Sequence, residues 1–338
     1  MATTAPAGDR VIVCGVDDTP DGRNAGLVAV RLAVALNGHV IAVNVPASRD
    51  GRRYGTVEHP DRGTLQAAME LTHAILEESA IELELQTAPH VHVEHGEASS
   101  VLRRVASEHD ADFLVVGSRT RTAIAATMRP GIPTTLTTAS PCPVIVVPDR
   151  LDDIGLLAPS RWSRAIICGV DDSPQSLNAA QAAARLAATL DTRLVLAHVY
   201  QAGTELPGAL PPAPAPALAD IGTLMVGERR RRAKRLLKQA QAHARQAPRI
   251  ELEMKQGQPA AALNDLAHEH GCSLLVVGSR GHGSLRRAML GSTSAALTTT
   301  ARRPVMVVAP TTSRLPPSAS SDRRATGGLH SKDELFSD

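Results

Sequence analysis

Residues 276–294 read VVGSRGHGSLRRAMLGSTS, and residues 115–133 read VVGSRTRTAIAATMRPGIP. Both open on an apolar run that ends in Gly-Ser-Arg and then turn polar. A run of this length, closed by Gly and Ser, reads as a buried β-strand. Beyond it the two part: one continues with glycines, the other with threonine and proline.

The likeness extends outward in both directions. VIVCGVDDTPDGRNAG (11–26) falls on AIICGVDDSPQSLNAA (165–180), with Asp17 on Asp171 and Asn24 on Asn178, an offset of 154. HVIAVNV (39–45) falls on RLVLAHV (193–199) at the same offset, whereas Gly117 falls on Gly278 at 161. The chain is a tandem repeat, and the second copy carries seven extra residues between Val199 and Gly257. Within that interval the Pro/Ala-rich stretch ELPGALPPAPAPALAD (205–220) reads as a mobile surface loop.

In the second copy, AIICGV, RLVLAHV, RIELEMK, SLLVVGS and PVMVVA are short apolar runs bounded by Gly, Pro, Asp or Ser, the pattern of strands. Between them lie helical segments. One starts after Ser173-Pro174, a capping residue followed by a proline suited to the first turn. A second carries Ala233, Leu236, Leu237, Ala240 and Ala244 at helical spacing, and a third Leu263, Leu266, Ala267 and His270. A fourth occupies roughly 292–301. Alternating strands and helices with continuously apolar strands predict an α/β fold: two tandem doubly wound domains, each with a five-stranded parallel sheet in the order 3-2-1-4-5. A sheet of this order binds ligands beyond the carboxyl ends of strands 1 and 4, where the order reverses. The predicted organisation is a flexible N-terminus (1–8), a first domain (9–148), a linker (149–162), a second domain (163–310) and a disordered tail (311–338).

Composition narrows the chemistry. Only one Trp, two Tyr and two Phe occur in 338 residues, so base stacking is not a binding mode, and a net charge of +2 favours neither nucleic acid nor an anionic membrane. The four cysteines have no zinc spacing and suit a reducing, cytoplasmic setting. The run ERRRRAKRLLK (228–238) reads as a solvated helix face, its basic residues lying mainly off the apolar stripe. His90-x-His92-x-x-His95 is the one histidine cluster, and because it lies in a strand-like segment no protein metal site is expected from it.

Gly278, Gly281, Gly283 and Gly291 let backbone N–H groups approach an anion, and Gly291-Ser292-Thr293 opens a helix whose N-terminus points at the same place. Arg280, Arg286 and Arg287 add charge or simply face solvent, and His282 touches phosphate or is exposed. Neither a Walker A motif nor a dinucleotide fingerprint fits the spacing. No Ser/His/Asp or Cys/His arrangement for nucleophilic catalysis is recognisable, and Asp171 and Asp172 are adjacent rather than opposed across a substrate.

Gly278, two residues, Gly281, nine residues, Gly291 and Ser292 resemble the G-x2-G-x9-G-[ST] motif of ATP-binding members of the universal stress protein family. The resemblance covers about residues 9–148 and 163–310 and includes the VDDSP-type opening and the final PVMVV strand. It implies ATP at the second domain: Asp171 bonded to the nucleoside, the Val199 backbone to the adenine edge, Val277 and Gly278 against the nucleoside. Arg280, Gly281, Gly291, Ser292 and Thr293 would hold ribose and phosphates, with Mg2+ on the phosphates. The first domain departs, with Thr120 for Gly281 and Pro130 for Gly291, so it is expected to bind triphosphate weakly or not at all; Gly131 would compensate only by a shift of the loop. The family further implies pairing of the domains through PVIVV and PVMVV, a possible homodimer, and a regulatory role in stress response with an unidentified protein partner. The enzymatic alternative is a slow ATPase or phosphotransferase using the same cradle.

Overall fold

A computed structural model describes residues 10–46, 62–83, 88–118, 132–151, 164–200, 215–279 and 290–310. The first half runs β1 (Arg10–Gly15), α1 (Pro20–Leu36), β2 (Gly38–Asn44), α2 (Arg62–Leu83), β3 (His90–Val93), α3 (Ala98–Glu108), β4 (Phe113–Gly117), α4 (Ile132–Ala139) and β5 (Val144–Val147). The second repeats it as β6 (Ile166–Gly169), α5 (Pro174–Thr189), β7 (Arg193–Tyr200), α6 (Ala215–His243), β8 (Arg249–Gln256), α7 (Pro259–Glu269), β9 (Leu274–Gly278), α8 (Ser292–Thr300) and β10 (Val305–Val308). The predicted N-terminal segment, most of the linker and the tail lie outside the described residues.

The helices begin where the sequence supplies caps. Thr19 and Ser173 accept from Gly22 N and Ser176 N, and Pro20 and Pro174 follow in the first turn, where a missing N–H costs nothing. One expectation is corrected. The Pro/Ala-rich stretch is not wholly a loop, because α6 starts at Ala215 inside it. Pro216 sits in the first turn, where proline is tolerated, and the Ala/Leu residues after it are strong helix formers. Farther along α6, Ala233, Leu237 and Ala240 are buried while Arg230, Arg231, Arg232, Lys234 and Arg235 are exposed, so the basic run is a solvated face.

Each half has the strand order 3-2-1-4-5, parallel throughout, and the halves are fused into one ten-stranded sheet, β3-β2-β1-β4-β5-β10-β9-β6-β7-β8. The fusion is the sole antiparallel step among the described strands: Val305 opposes Val146, Met306 opposes Ile145 and Val307 opposes Val144. Two wholly apolar edge strands are thereby paired with each other instead of left as open templates. Because the last strands are consumed within the chain, a homodimer would need another surface.

One apolar layer runs unbroken across this seam. It joins Ile145 and Val147 to Met306 and Val308 and carries α1 and α5. On the opposite face the core is split, with α3 covering the first half and α7 and α8 the second. All four cysteines are buried and free. Burial, aided by Asp17 and Asp171 respectively, raises the Cys14 and Cys168 thiols far above the ordinary range, and burial pushes Cys272 up to about 12 against the opposing charge of Arg303. The expected outcome is that a small disulfide reagent titrates no thiol in the native protein and four in denaturant. Reaction of any cysteine at native rates comparable to a free peptide thiol would contradict this packing.

Candidate nucleotide site

Strand order reverses between β6 and β9, and the crevice beyond their carboxyl ends is walled by the β6–α5 turn, the end of β7 and the start of α8. Asp171 lies in the turn after β6. Its Oδ1 accepts from Ser173 N at 2.9 Å and from Ser173 Oγ at 2.5 Å, while Ser176 Oγ donates to the Asp171 carbonyl at 2.7 Å. This fixes the carboxylate at the helix N-terminus, where the dipole favours negative charge. Asp17 makes the same turn in the first half, accepting from Thr19 N at 3.0 Å and from the Thr19 hydroxyl. The turn therefore belongs to the fold of both halves and does not distinguish them. The neighbouring Asp172 points elsewhere and is ion-paired with Arg232 of α6.

Val199 is in a position that only the pairing reveals. Ala197 turns its carbonyl to the β6 side, where it accepts from Val170 N at 2.8 Å. Two residues on, Val199 presents its own N–H and C=O to that same side, and β6 has already ended at Gly169. Its backbone edge thus opens on the crevice. The other side of β7 is closed, Tyr200 O accepting from Gly257 N. His198, a residue the sequence did not single out, donates from Nδ1 to Val170 O at 2.7 Å and ties the two strand ends together.

Gly278 ends β9 and permits a close approach. A Cβ there would lie 2.8 Å from the Gln175 carbonyl carbon and 2.9 Å from its oxygen, so the first turn of α5 is pressed against the strand end. The Val277 side chain is buried and packs with the α7 residues on one face of the sheet. Gly291 is the N-cap of α8 and lacks a Cβ at the turn, and its N–H donates to Ser279 O at 2.8 Å. Among the described residues no side chain caps α8, whose first intrahelical bond is Ala295 N to Gly291 O. The backbone N–H groups of Ser292, Thr293 and Ser294 have no intrahelical acceptor at this helix end, and the helix dipole lies behind them.

Two serines were missed from sequence. Ser294 is buried and its Oγ donates to Gly278 O at 2.6 Å, anchoring α8 to β9. Ser279 is fully buried, and its Oγ has no hydrogen-bond partner among the described residues. Both follow strand or glycine positions in the motif, where a hydroxyl looks like turn chemistry until the packing is known. Arg280, Gly281, Gly283, His282, Arg286 and Arg287, and in the first half Thr120, Pro130 and Gly131, lie outside the described residues.

The first half differs at described positions too. Pro133 of α4 stands where Ser294 stands in α8, so neither the anchoring hydroxyl nor that N–H exists. Asp21 stands where Gln175 stands, fully buried, with Oδ2 2.7 Å from where a Cβ on Gly117 would be. A carboxylate therefore borders the strand end at the place a polyphosphate would approach.

The model of the universal stress protein family matches this chain twice, over residues 10–148 and 163–309. The chain belongs to the universal stress protein family. Solved structures share the tandem universal stress fold over most of its length. A universal stress protein from Archaeoglobus fulgidus DSM 4304 is 14% identical, covering 88% of this chain and 96% of its own, with a TM-score of 0.54. A putative universal stress protein from Pseudomonas aeruginosa UCBPP-PA14 is 14% identical over 90% of this chain and 94% of its own, with a TM-score of 0.51. A universal stress protein solved in complex with cAMP is 27% identical over 44% of this chain and 97% of its own, with a TM-score of 0.31. No curated protein matches the chain. Among the described residues no helix of this universal stress protein is long and apolar enough to cross a membrane.

Proposed function

We propose that the second universal stress domain binds ATP and acts as a regulatory nucleotide-binding module in stress response, in the cytoplasm and through a protein partner. The observation that carries this reading is the start of α8 at the strand-order reversal: among the described residues no side chain caps this helix N-terminus, and the neighbouring buried Ser279 hydroxyl has no hydrogen-bond partner. These groups fit an anionic ligand, since the N–H groups at a helix N-terminus are oriented donors backed by the helix dipole. Ser292 and Thr293 would hold phosphate oxygens, with Arg280 and Gly281 of the adjoining loop. The open backbone edge of Val199 offers a donor and an acceptor to an adenine edge, Asp171 reaches the nucleoside, and Gly278 gives it room. Mg2+ would ride on the phosphates and supply charge neutralisation there.

Binding rather than turnover is favoured because the sequence carries no recognisable catalytic base beside the loop, and Asp171 Oδ1 in the turn after β6 accepts from Ser173 N and Oγ. The slow ATPase or phosphotransferase remains the second reading of the same cradle. Pro133 and Asp21 support weak or no triphosphate binding by the first half.

The test is the nucleotide released from purified protein, identified by mass spectrometry, followed by titration with ATP, AMP and cAMP and by phosphate release. ATP that stays intact for hours supports the module, and Asp171→Ala is expected to weaken it about tenfold, the loss of a hydrogen bond to a charged group. Steady phosphate release abolished by Asp171→Ala would move the conclusion to the enzyme. Absence of both bound nucleotide and affinity at millimolar ATP would sink both.

A further inference from the structure

The two outer edge strands of the sheet, β3 and β8, carry a second constellation. At the offset of 161, Glu251, Glu253 and His270 occupy the positions of His90, His92 and His109. The equivalence is structural as well: His90 pairs with Ile41 in the first half as Glu251 pairs with Val195 in the second. All three positions therefore hold metal-ligating side chains in both halves. The sequence had grouped His90 and His92 with His95, but the fold brings His109 to His92, with ring centroids 5.7 Å apart in an edge-on arrangement.

In the second half the three are already convergent. Glu251 and Glu253 alternate along β8 and so share a face, and His270 caps the C-terminus of α7 above them. One ligand atom from each lies within 4.8 Å of the others, and His270 Nε2 is 2.7 Å from Glu253 Oε1. Arg193 Nη1 donates to both oxygens of Glu251, at 3.2 and 3.0 Å, and Arg193 Nη2 reaches His270 O at 3.4 Å. Those bonds orient Glu251 and the His270 backbone, yet a carboxylate has about four lone-pair sites, so each oxygen keeps an acceptor position. The nearby Lys255 is engaged by Glu269 at 2.6 Å and by Asp265.

We propose that Glu251, Glu253 and His270 form a binding site for one divalent late first-row transition cation, of which Zn2+ is the representative. One imidazole and two carboxylates suit such an ion better than Mg2+ or Ca2+, which prefer all-oxygen sets. Bonds of about 2.0–2.2 Å to three such ligands need them roughly 3.3 Å apart, so the His270–Glu253 hydrogen bond opens by about half an ångström and the ion replaces the proton between them. That proton is released to solvent, or moves to Nδ1 when the ring was neutral, and a fourth position is left for water.

The test uses the full-length, untagged, nucleotide-free protein after chelator treatment, with Zn2+ titrated calorimetrically and Co2+ substituted for its visible absorption. One high-affinity Zn2+ per chain is expected, with binding weakened about tenfold or more in His270→Gln and in Glu253→Gln and Co2+ absorption lost. His109→Gln serves as the matched control and is expected to leave this ion in place. Thermal melting of the metal-free variants distinguishes a lost ligand from a lost fold, and their ATP affinity separates this site from the nucleotide site. Zn2+ affinity unchanged in both second-half variants would overturn the proposal and leave the trio as ion pairs alone. Loss of the ion in His109→Gln would overturn it by moving the site to the first half.

Discussion

Met306→Asp is expected to destabilise the whole chain by about 3–5 kcal/mol, the usual cost of an uncompensated buried charge. Met306 is fully buried at the centre of the seam, opposite Ile145 and beside Val276 of β9, within the apolar layer that spans both halves. The new carboxylate has no cation to meet there, and water can reach it only if β5 and β10 separate. Because that layer carries α1 as well as α5, the loss should fall on both halves in one transition. Urea unfolding followed by circular dichroism measures it, with Leu252→Thr as a control at an exposed position of the edge strand β8, expected within about 0.5 kcal/mol of the parent. A cost below about 1 kcal/mol for Met306→Asp would mean that the seam does not hold the halves together.

Gly278→Val should both destabilise the second half and empty the nucleotide site proposed there. The added Cβ would sit 2.8 Å from the Gln175 carbonyl carbon, a backbone atom that cannot rotate away, so α5 or the end of β9 must move. Overpacking of this kind costs about 1–3 kcal/mol. The same movement displaces the Gly278 carbonyl that Ser294 holds, and with it the first turn of α8. Each 1.4 kcal/mol lost from binding is about tenfold in Kd, so ATP affinity should fall by at least that factor. Gly227→Ala is the control: nothing lies within 4 Å of the added Cβ, and alanine within α6 should stabilise by roughly 0.5–1 kcal/mol. A Gly278→Val protein that melts and binds ATP like its parent would refute the close contact.

Much of the architecture was legible in the residues because local signals coincide with what the strands and helices need. The apolar runs ending in Gly169, Gly117 and Gly278 became strands, Ser173-Pro174 opened α5, and the expected fourth helix is α8 from Ser292 to Thr300. The start of α6 was misplaced because proline signals a break in sequence yet is tolerated in a first turn. The placement of Gly278, Gly291 and Asp171 at strand and helix ends was legible in the sequence. The working parts of the site were not. Whether Val199 has an open backbone edge depends on β6 stopping two residues short of it, and whether Ser294 is a turn residue or an anchor depends on the Gly278 carbonyl lying 2.6 Å away.

By itself, then, the sequence determined the repeat, the class of fold and which half retains a glycine-rich loop, because periodicity and capping are short-range properties written residue by residue. Tertiary structure decided that β5 and β10, which the family resemblance implied would pair, meet antiparallel in a fixed register. It also decided that Asp21 lies buried against the strand end of the first half, and that His270 meets Glu253 across 17 positions of chain. Those outcomes rest on packing between segments far apart in the chain, where distance and burial, rather than residue type, set what a side chain can do.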